Sequence, residues 1–126
     1  MAFFVDNNGN ITLIQGDSGA LVISGISTDK NYKVYFAVHD KNRKLVGNEL
    51  YVNSNMQNSV IIQLTADFTD LLTVNKNAGY EIYYYGIKAC YENENIEDTL
   101  ILGNSQLGDL NTITVFPKKV EGTLNE

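Results

Sequence analysis

Between Tyr32 and His39 the side chains alternate, with Tyr32, Val34, Phe36 and Val38 on one parity and Lys33, Tyr35, Ala37 and His39 on the other. A period of two is the mark of a strand laid with one face on a core. Val60 to Thr65 repeats the pattern, with Val60, Ile62 and Leu64 predicted inward. Phe3 to Asp6 and Ile11 to Gln15 flank Asn7-Asn8-Gly9-Asn10, and an Asn-Gly pair between apolar runs is a strong hairpin signal. Gly16-Asp17-Ser18-Gly19 breaks the chain before Ala20 to Ser24 resumes it, and Gly25 to Asn31 reads as a loop. Asp40 to Lys44 turns the chain, Glu49 to Val52 forms a short strand, and Asn53 to Ser59 is a polar loop. Asn75 to Gly79 turns into a long run, Tyr80 to Tyr91. Thr99 to Leu102 and Thr112 to Phe116 follow, separated by Gly103-Asn104-Ser105 and Gly108-Asp109. Pro117 ends the last strand, because it has no amide hydrogen to donate.

One segment leaves this period. In Ala66-Asp67-Phe68-Thr69-Asp70-Leu71-Leu72, Thr65 or Asp67 can cap a single helical turn that sets Phe68, Leu71 and Leu72 over one end of the core. Seven to nine short strands with regular turns and no long helix predict an all-β fold. The expectation is a single immunoglobulin-like β-sandwich with one short helical turn, a jelly roll or barrel being second choice. Residues 1–126 form one domain, with 1–10 as an N-terminal arm or hairpin and 117–126 as a polar tail.

The run Tyr80 to Tyr91 is apolar or aromatic on both parities. Tyr80, Ile82, Tyr84, Lys88 and Cys90 share one face, and Glu81, Tyr83, Tyr85, Ile87, Ala89 and Tyr91 the other. A strand wet on one side alternates apolar with polar, so one aromatic face here needs a partner. Tyr83, Tyr85 and Tyr91, with Tyr35 and the Phe3-Phe4 arm, are the expected contact residues. The competing expectation is that Tyr35, Tyr83 and Tyr85 pack against the second layer.

Composition narrows the function classes. With 126 residues, 44% of them hydrophobic and a single proline, the chain can bury a real core. A net charge of −6 argues against a nucleic-acid grip or a membrane surface, and Lys41-Asn42-Arg43-Lys44, the densest basic stretch, reads as a surface turn. One cysteine excludes an intrachain disulfide, and Cys90 is expected as a small buried hydrophobe. Met1-Ala2-Phe3-Phe4-Val5 lacks the basic region of a secretion signal, and no apolar run approaches a membrane span. Synthesis in a cytoplasm, without a secretion address, is therefore expected, which permits later assembly into a particle.

Candidate chemistry is sparse. Gly16-Asp17-Ser18-Gly19 matches the nucleophile motif of trypsin-like proteases, but the only histidine, His39, follows the serine and the chain is too short for two barrels. Glu92, Glu94, Glu97 and Asp98 supply oxygen ligands of the kind calcium takes, without EF-hand spacing or its glycine, and read as an acidic loop over 92–98. Asn10-Ile11-Thr12 matches a glycosylation sequon with no secretion signal. No catalytic, metal or cofactor-binding residues are assigned, and an enzyme is not expected.

The order of motifs carries a resemblance. A first strand, Ile11 to Gln15, runs into Gly16-Asp17. A later strand enters a Thr-containing helical turn, Leu64-Thr65 through Thr69-Asp70-Leu71-Leu72. Gly79-Tyr80-Glu81-Ile82 opens a strand, Thr99-Leu100-Ile101-Leu102-Gly103 supplies its hairpin partner, and Ile113-Thr114-Val115 closes the series. In this order the chain resembles small phage virion proteins, particularly the immunoglobulin-like N-terminal domain of upper baseplate proteins from phages of Gram-positive bacteria. The likeness spans roughly Ile11 to Val115 through short, turn-like motifs. Ser27-Thr28-Asp29-Lys30 replaces the family's Asp-Leu-Thr turn, and the chain ends at Glu126 where such proteins continue into helical or receptor-binding segments. The resemblance therefore implies a non-enzymatic virion structural protein, either decorating the capsid exterior or forming part of the tail or baseplate. Its partners would be other virion proteins, met in multiple copies. The alternative expectation is a carbohydrate- or receptor-binding β-sandwich module, whose exposed aromatics stack on sugar rings.

Overall fold

A computed structural model of the chain describes residues 3–75, 77–91, 96–101 and 111–118. In chain order the strands are β1 (Phe3–Val5), β2 (Ile11–Ile14), β3 (Gly19–Ser24), β4 (Lys33–His39), β5 (Leu50–Asn53) and β6 (Ser59–Leu64). A helical turn, α1 (Ala66–Thr69), then precedes β7 (Glu81–Tyr91), β8 (Ile96–Ile101) and β9 (Asn111–Phe116).

β7 organises the larger sheet. One edge pairs antiparallel with β4, from His39 opposite Tyr84 to Lys33 opposite Cys90. The other edge is shared: β9 runs along Glu81 to Tyr85, and β8 along Ile87 to Tyr91. β2 lies parallel to β9, β1 folds back on β2, and β5 lies outside β4, giving the order β1-β2-β9-β7-β4-β5. β3 and β6 form a separate antiparallel pair. Leu21, Ile23, Val60, Ile62 and Leu64 from that pair share one apolar core with Ile11, Val34, Phe36, Tyr85 and Val115 from the larger sheet. The result is an immunoglobulin-like sandwich.

Two details mark the architecture. The Tyr83 hydroxyl donates to the Thr73 carbonyl at 2.6 Å, closing the corner ahead of β7 as the tyrosine corner of such sandwiches does. Tyr85 takes the place two residues on, where antibody domains put a disulfide cysteine, and its ring packs 5.3 Å from Phe36 on β4. An aromatic pair thus fills the centre without a disulfide or tryptophan.

Polar links fix both ends. Thr65 caps α1, its Oγ1 accepting from the Phe68 amide at 3.2 Å. Buried Thr69 donates to the Asp17 carbonyl at 2.8 Å, so the helical turn holds the Gly16–Gly19 turn. At the opposite end the Asp6 carboxylate accepts from the amides of Asn8 and Asn10, shaping the β1–β2 hairpin. The Tyr85 hydroxyl donates to the Gly9 carbonyl, and the Asn111 amide donates to the Asn8 carbonyl at 3.2 Å. Gly9 has φ +86°, and an added Cβ would sit 2.6 Å from Asn111 Nδ2, so only glycine suits this clip.

Some local expectations change. Leu71 is exposed while Phe68 and Leu72 are buried, because α1 is too short to turn a third apolar side chain inward. β8 begins at Ile96, so Glu97 and Asp98 are paired strand residues opposite Cys90 and Ala89 and not part of an acidic loop. Residues 92–95, the expected turns at 103–105 and 108–109, and the tail from 119 onward lie outside the described residues.

Candidate interaction surface

The long strand β7 presents one parity to the core and the other outward, and the assignment is the reverse of the expected contact face. Tyr83 and Tyr85 are buried, at 6% and 1% exposure, and Ile87 and Ala89 line the same face. Tyr91 ends that face half-buried, its ring 6.1 Å from Tyr32. Tyr83 and Tyr85 are core residues, as the competing expectation had it, and are not presented to an outer partner, whereas Tyr91 stands half-buried at the edge of the core. The deciding signal was Lys88: a lysine in mid-strand does not belong in a core, whereas Glu81 sits at the strand's end where water reaches it. Cys90, expected buried, is half-buried on the outer parity beside Lys88.

Burial also explains the phenol acidities. Desolvation pushes the Tyr83 hydroxyl above its ordinary value of 10.0, opposed by the Thr73 hydrogen bond and assisted by the charges of Glu81 and Asp40. Tyr85 is raised by burial as well, with its contact to Asn111 opposing.

Two outer faces are left for contacts, the smaller one on β3 and β6, where exposed Val22 pairs with exposed Ile61, and the broader outer face of the larger sheet. Register aligns Phe4, Thr12, Thr114 and Ile82 in one row across β1, β2, β9 and β7. Ile14 and Phe116 pair in the row on one side, and Thr112 and Tyr84 in the row on the other. Phe4 is 60% exposed, and Phe116 is exposed beside the Tyr80 ring at 6.2 Å. None of these eight positions is charged, although the chain carries 24 charged side chains, 9 basic plus 15 acidic. A solvated sheet face normally carries polar and charged side chains, and edge strands are commonly protected by lysine. This half of the face carries threonines and the Tyr84 hydroxyl as its only polar groups at these positions, and neither a charge nor an edge lysine.

Phe3 and Phe4, expected together in an arm, divide their roles. Phe3 turns in and its ring lies over Gly19, where an added Cβ would come within 2.2 Å of a ring carbon. Phe4 turns out. Tyr35 lies on the other half of the outer face, half-buried, its ring 5.8 Å from Tyr51, with the Lys33 ammonium 4.4 Å from the Tyr51 ring. Gly86 and Ala37, paired in register, separate the two aromatic halves.

The residues that hinted at chemistry are not assembled into a site. Ser18 is exposed in the turn after β2, whereas His39 ends β4, and β9 and β7 lie between those strands in the sheet. Among the described residues no group of three or more histidine, cysteine, aspartate or glutamate side chains is placed to hold a metal ion. No helix among them is long and apolar enough to cross a membrane. No protein-family model matches the chain, and no curated protein is significantly similar to it.

Proposed function

We propose that the chain is a non-enzymatic structural protein of a phage virion, held to neighbouring virion proteins through the uncharged outer face of β1, β2, β9 and the start of β7. The observation that carries the reading is the row Phe4-Thr12-Thr114-Ile82 with its flanking aromatics, a surface without charges on an acidic protein. Such a face can be covered by another protein without stranding a charge, the main cost of burying a polar surface. The resemblance over Ile11 to Val115 supplies the setting, either the capsid exterior or the tail and baseplate. Display in many copies suits a modest interface, because repeated sites multiply weak contacts into stable attachment. The acidic remainder of the surface keeps unassembled copies apart.

The test is to purify phage particles from cultures of the source host, search them for this chain by mass spectrometry, and label them with gold-bound antibody. Label over heads assigns capsid decoration, and label confined to the tail tip assigns the baseplate. Particles free of the chain overturn the proposal.

A further inference from the structure

Strand β3 has one paired edge and one open edge. The paired edge runs along β6 in unbroken register, from Gly19 opposite Leu64 to Ser24 opposite Ser59. In an antiparallel pair alternate residues turn their amide and carbonyl groups to the far side. Among the described residues no second strand and no further backbone hydrogen bond meets those groups of β3. Phe3 packs on Gly19 at one end, and Gly25, with φ +84°, leaves extended geometry at the other, so the open run is residues 20–24.

Proteins normally shield such an edge with a charge, a proline, a bulge or a very short strand. The two outermost strands of the larger sheet are short, β1 with 3 residues and β5 with 4. β3 has 6, reading Gly-Ala-Leu-Val-Ile-Ser, without charge, proline or bulge. The whole stretch from Ser18 to Thr28 is uncharged, and so is β6 beside it. Leu21 and Ile23 point into the core, whereas Val22, 62% exposed, stands next to Ile61, 52% exposed, on the outer face.

We propose that two copies of this chain pair antiparallel along their β3 edges, about a two-fold axis at Val22, joining their small sheets in the order β6-β3-β3-β6. Val22 is the midpoint of the open run, so this register sets Val22 opposite the partner's Val22, Leu21 opposite the partner's Ile23 and Ala20 opposite the partner's Ser24. Directly opposed residues share a face. The inward residues of both copies therefore stay on the core side, and the outer row becomes Ile61-Val22-Val22-Ile61. A second copy suits the edge because a two-fold strand pair is self-complementary and brings an equally uncharged strand of the same length. A charged peptide would find no counter-charge there. The contact is small, below the roughly 1,200 Å² of stable interfaces, so pairing is reversible. β3 belongs to the sheet opposite the Phe4-Thr12-Thr114-Ile82 row, so self-pairing and particle attachment hold or fail independently.

The experiment is sedimentation of the full chain between about 10 μM and 1 mM, a range that captures weak dimers. The expected result is a reversible monomer–dimer equilibrium. Val22→Lys, which sets two ammonium groups opposite each other, should weaken it about tenfold or more. Ile61→Lys, similarly exposed on the same face but one strand away from the junction, should change it by less than about threefold. Val22→Cys in a Cys90→Ser background should oxidise to a disulfide-linked dimer, since opposed residues hold their Cα atoms about 4.5–5.5 Å apart. Ile61→Cys in the same background should not, because three strand spacings, about 14 Å, separate it from its counterpart. A monomer at every concentration would overturn the proposal. So would equal weakening by the two lysine variants, which is the mark of face-to-face packing, or equal cross-linking by the two cysteine variants.

Discussion

Replacing Tyr83 by phenylalanine removes one oxygen from the corner that leads into β7. Its hydroxyl donates to the Thr73 carbonyl at 2.6 Å, and the residue is almost fully buried. Tyr83→Phe keeps the ring and its packing, so the cost is the lost hydrogen bond together with a carbonyl left without that donor. An interaction of this kind is worth about 1–3 kcal/mol when the orphaned group stays buried, and Thr73 lies in a partly wet loop, which places the expected loss near 1.5 kcal/mol. For a domain of this length that corresponds to a fall in Tm of about 6 °C. Urea denaturation and thermal melts followed by circular dichroism measure both quantities. Tyr84→Phe is the matched control, since its side chain lies half-buried on the outer face, and it should stay within about 0.5 kcal/mol of the parent. If Tyr83→Phe matched the parent, or if both variants fell equally, the corner would not be the constraint described.

Gly9→Ala should cost about 1–3 kcal/mol in the same denaturation assay, because it adds strain at φ +86° and drives a methyl toward Asn111 Nδ2. Thr69→Val, nearly isosteric, should cost about 1–2 kcal/mol by releasing the Asp17 carbonyl. Tyr83 and Tyr85 both have folded-state pKa values raised above 10.0, so the folded protein holds these protons more tightly than the unfolded chain. Their contribution to stability is therefore complete below the unfolded value and lost as pH rises through the folded ones. Melts between about pH 9 and pH 12 should show a steep alkaline decline that is shallower in Tyr85→Phe.

How far the sequence carries is clearest strand by strand. The alternation of Val60 to Thr65 predicted its inward residues, Val60, Ile62 and Leu64, and that of Tyr32 to His39 predicted the strand itself, because one parity in each is more apolar. Thr65 announced its helical turn through capping chemistry, which is local. β7 defeated the same reasoning because both parities are aromatic, and only Lys88 distinguished them. The parallel pairing of β2 with β9 joins residues about a hundred positions apart, and no local pattern encodes it. The strand character of Ile96 to Asp98 was hidden by acidic composition. It follows from the length of β7: β9 covers only Glu81 to Tyr85, and the remaining edge takes β8. The uncharged outer row emerged only once register had aligned Phe4, Thr12, Thr114 and Ile82.

The most direct test of that row is attachment of purified chain to phage particles stripped of it, comparing Thr114→Lys with Val22→Lys. Both put a lysine on a sheet face, but Val22 is exposed on the opposite sheet, away from the proposed contact. The account predicts that Val22→Lys attaches like the parent, while Thr114→Lys, which would bury an ammonium in the contact, loses attachment by about tenfold or more with its fold intact. Equal attachment by both variants, or loss confined to Val22→Lys, would contradict it.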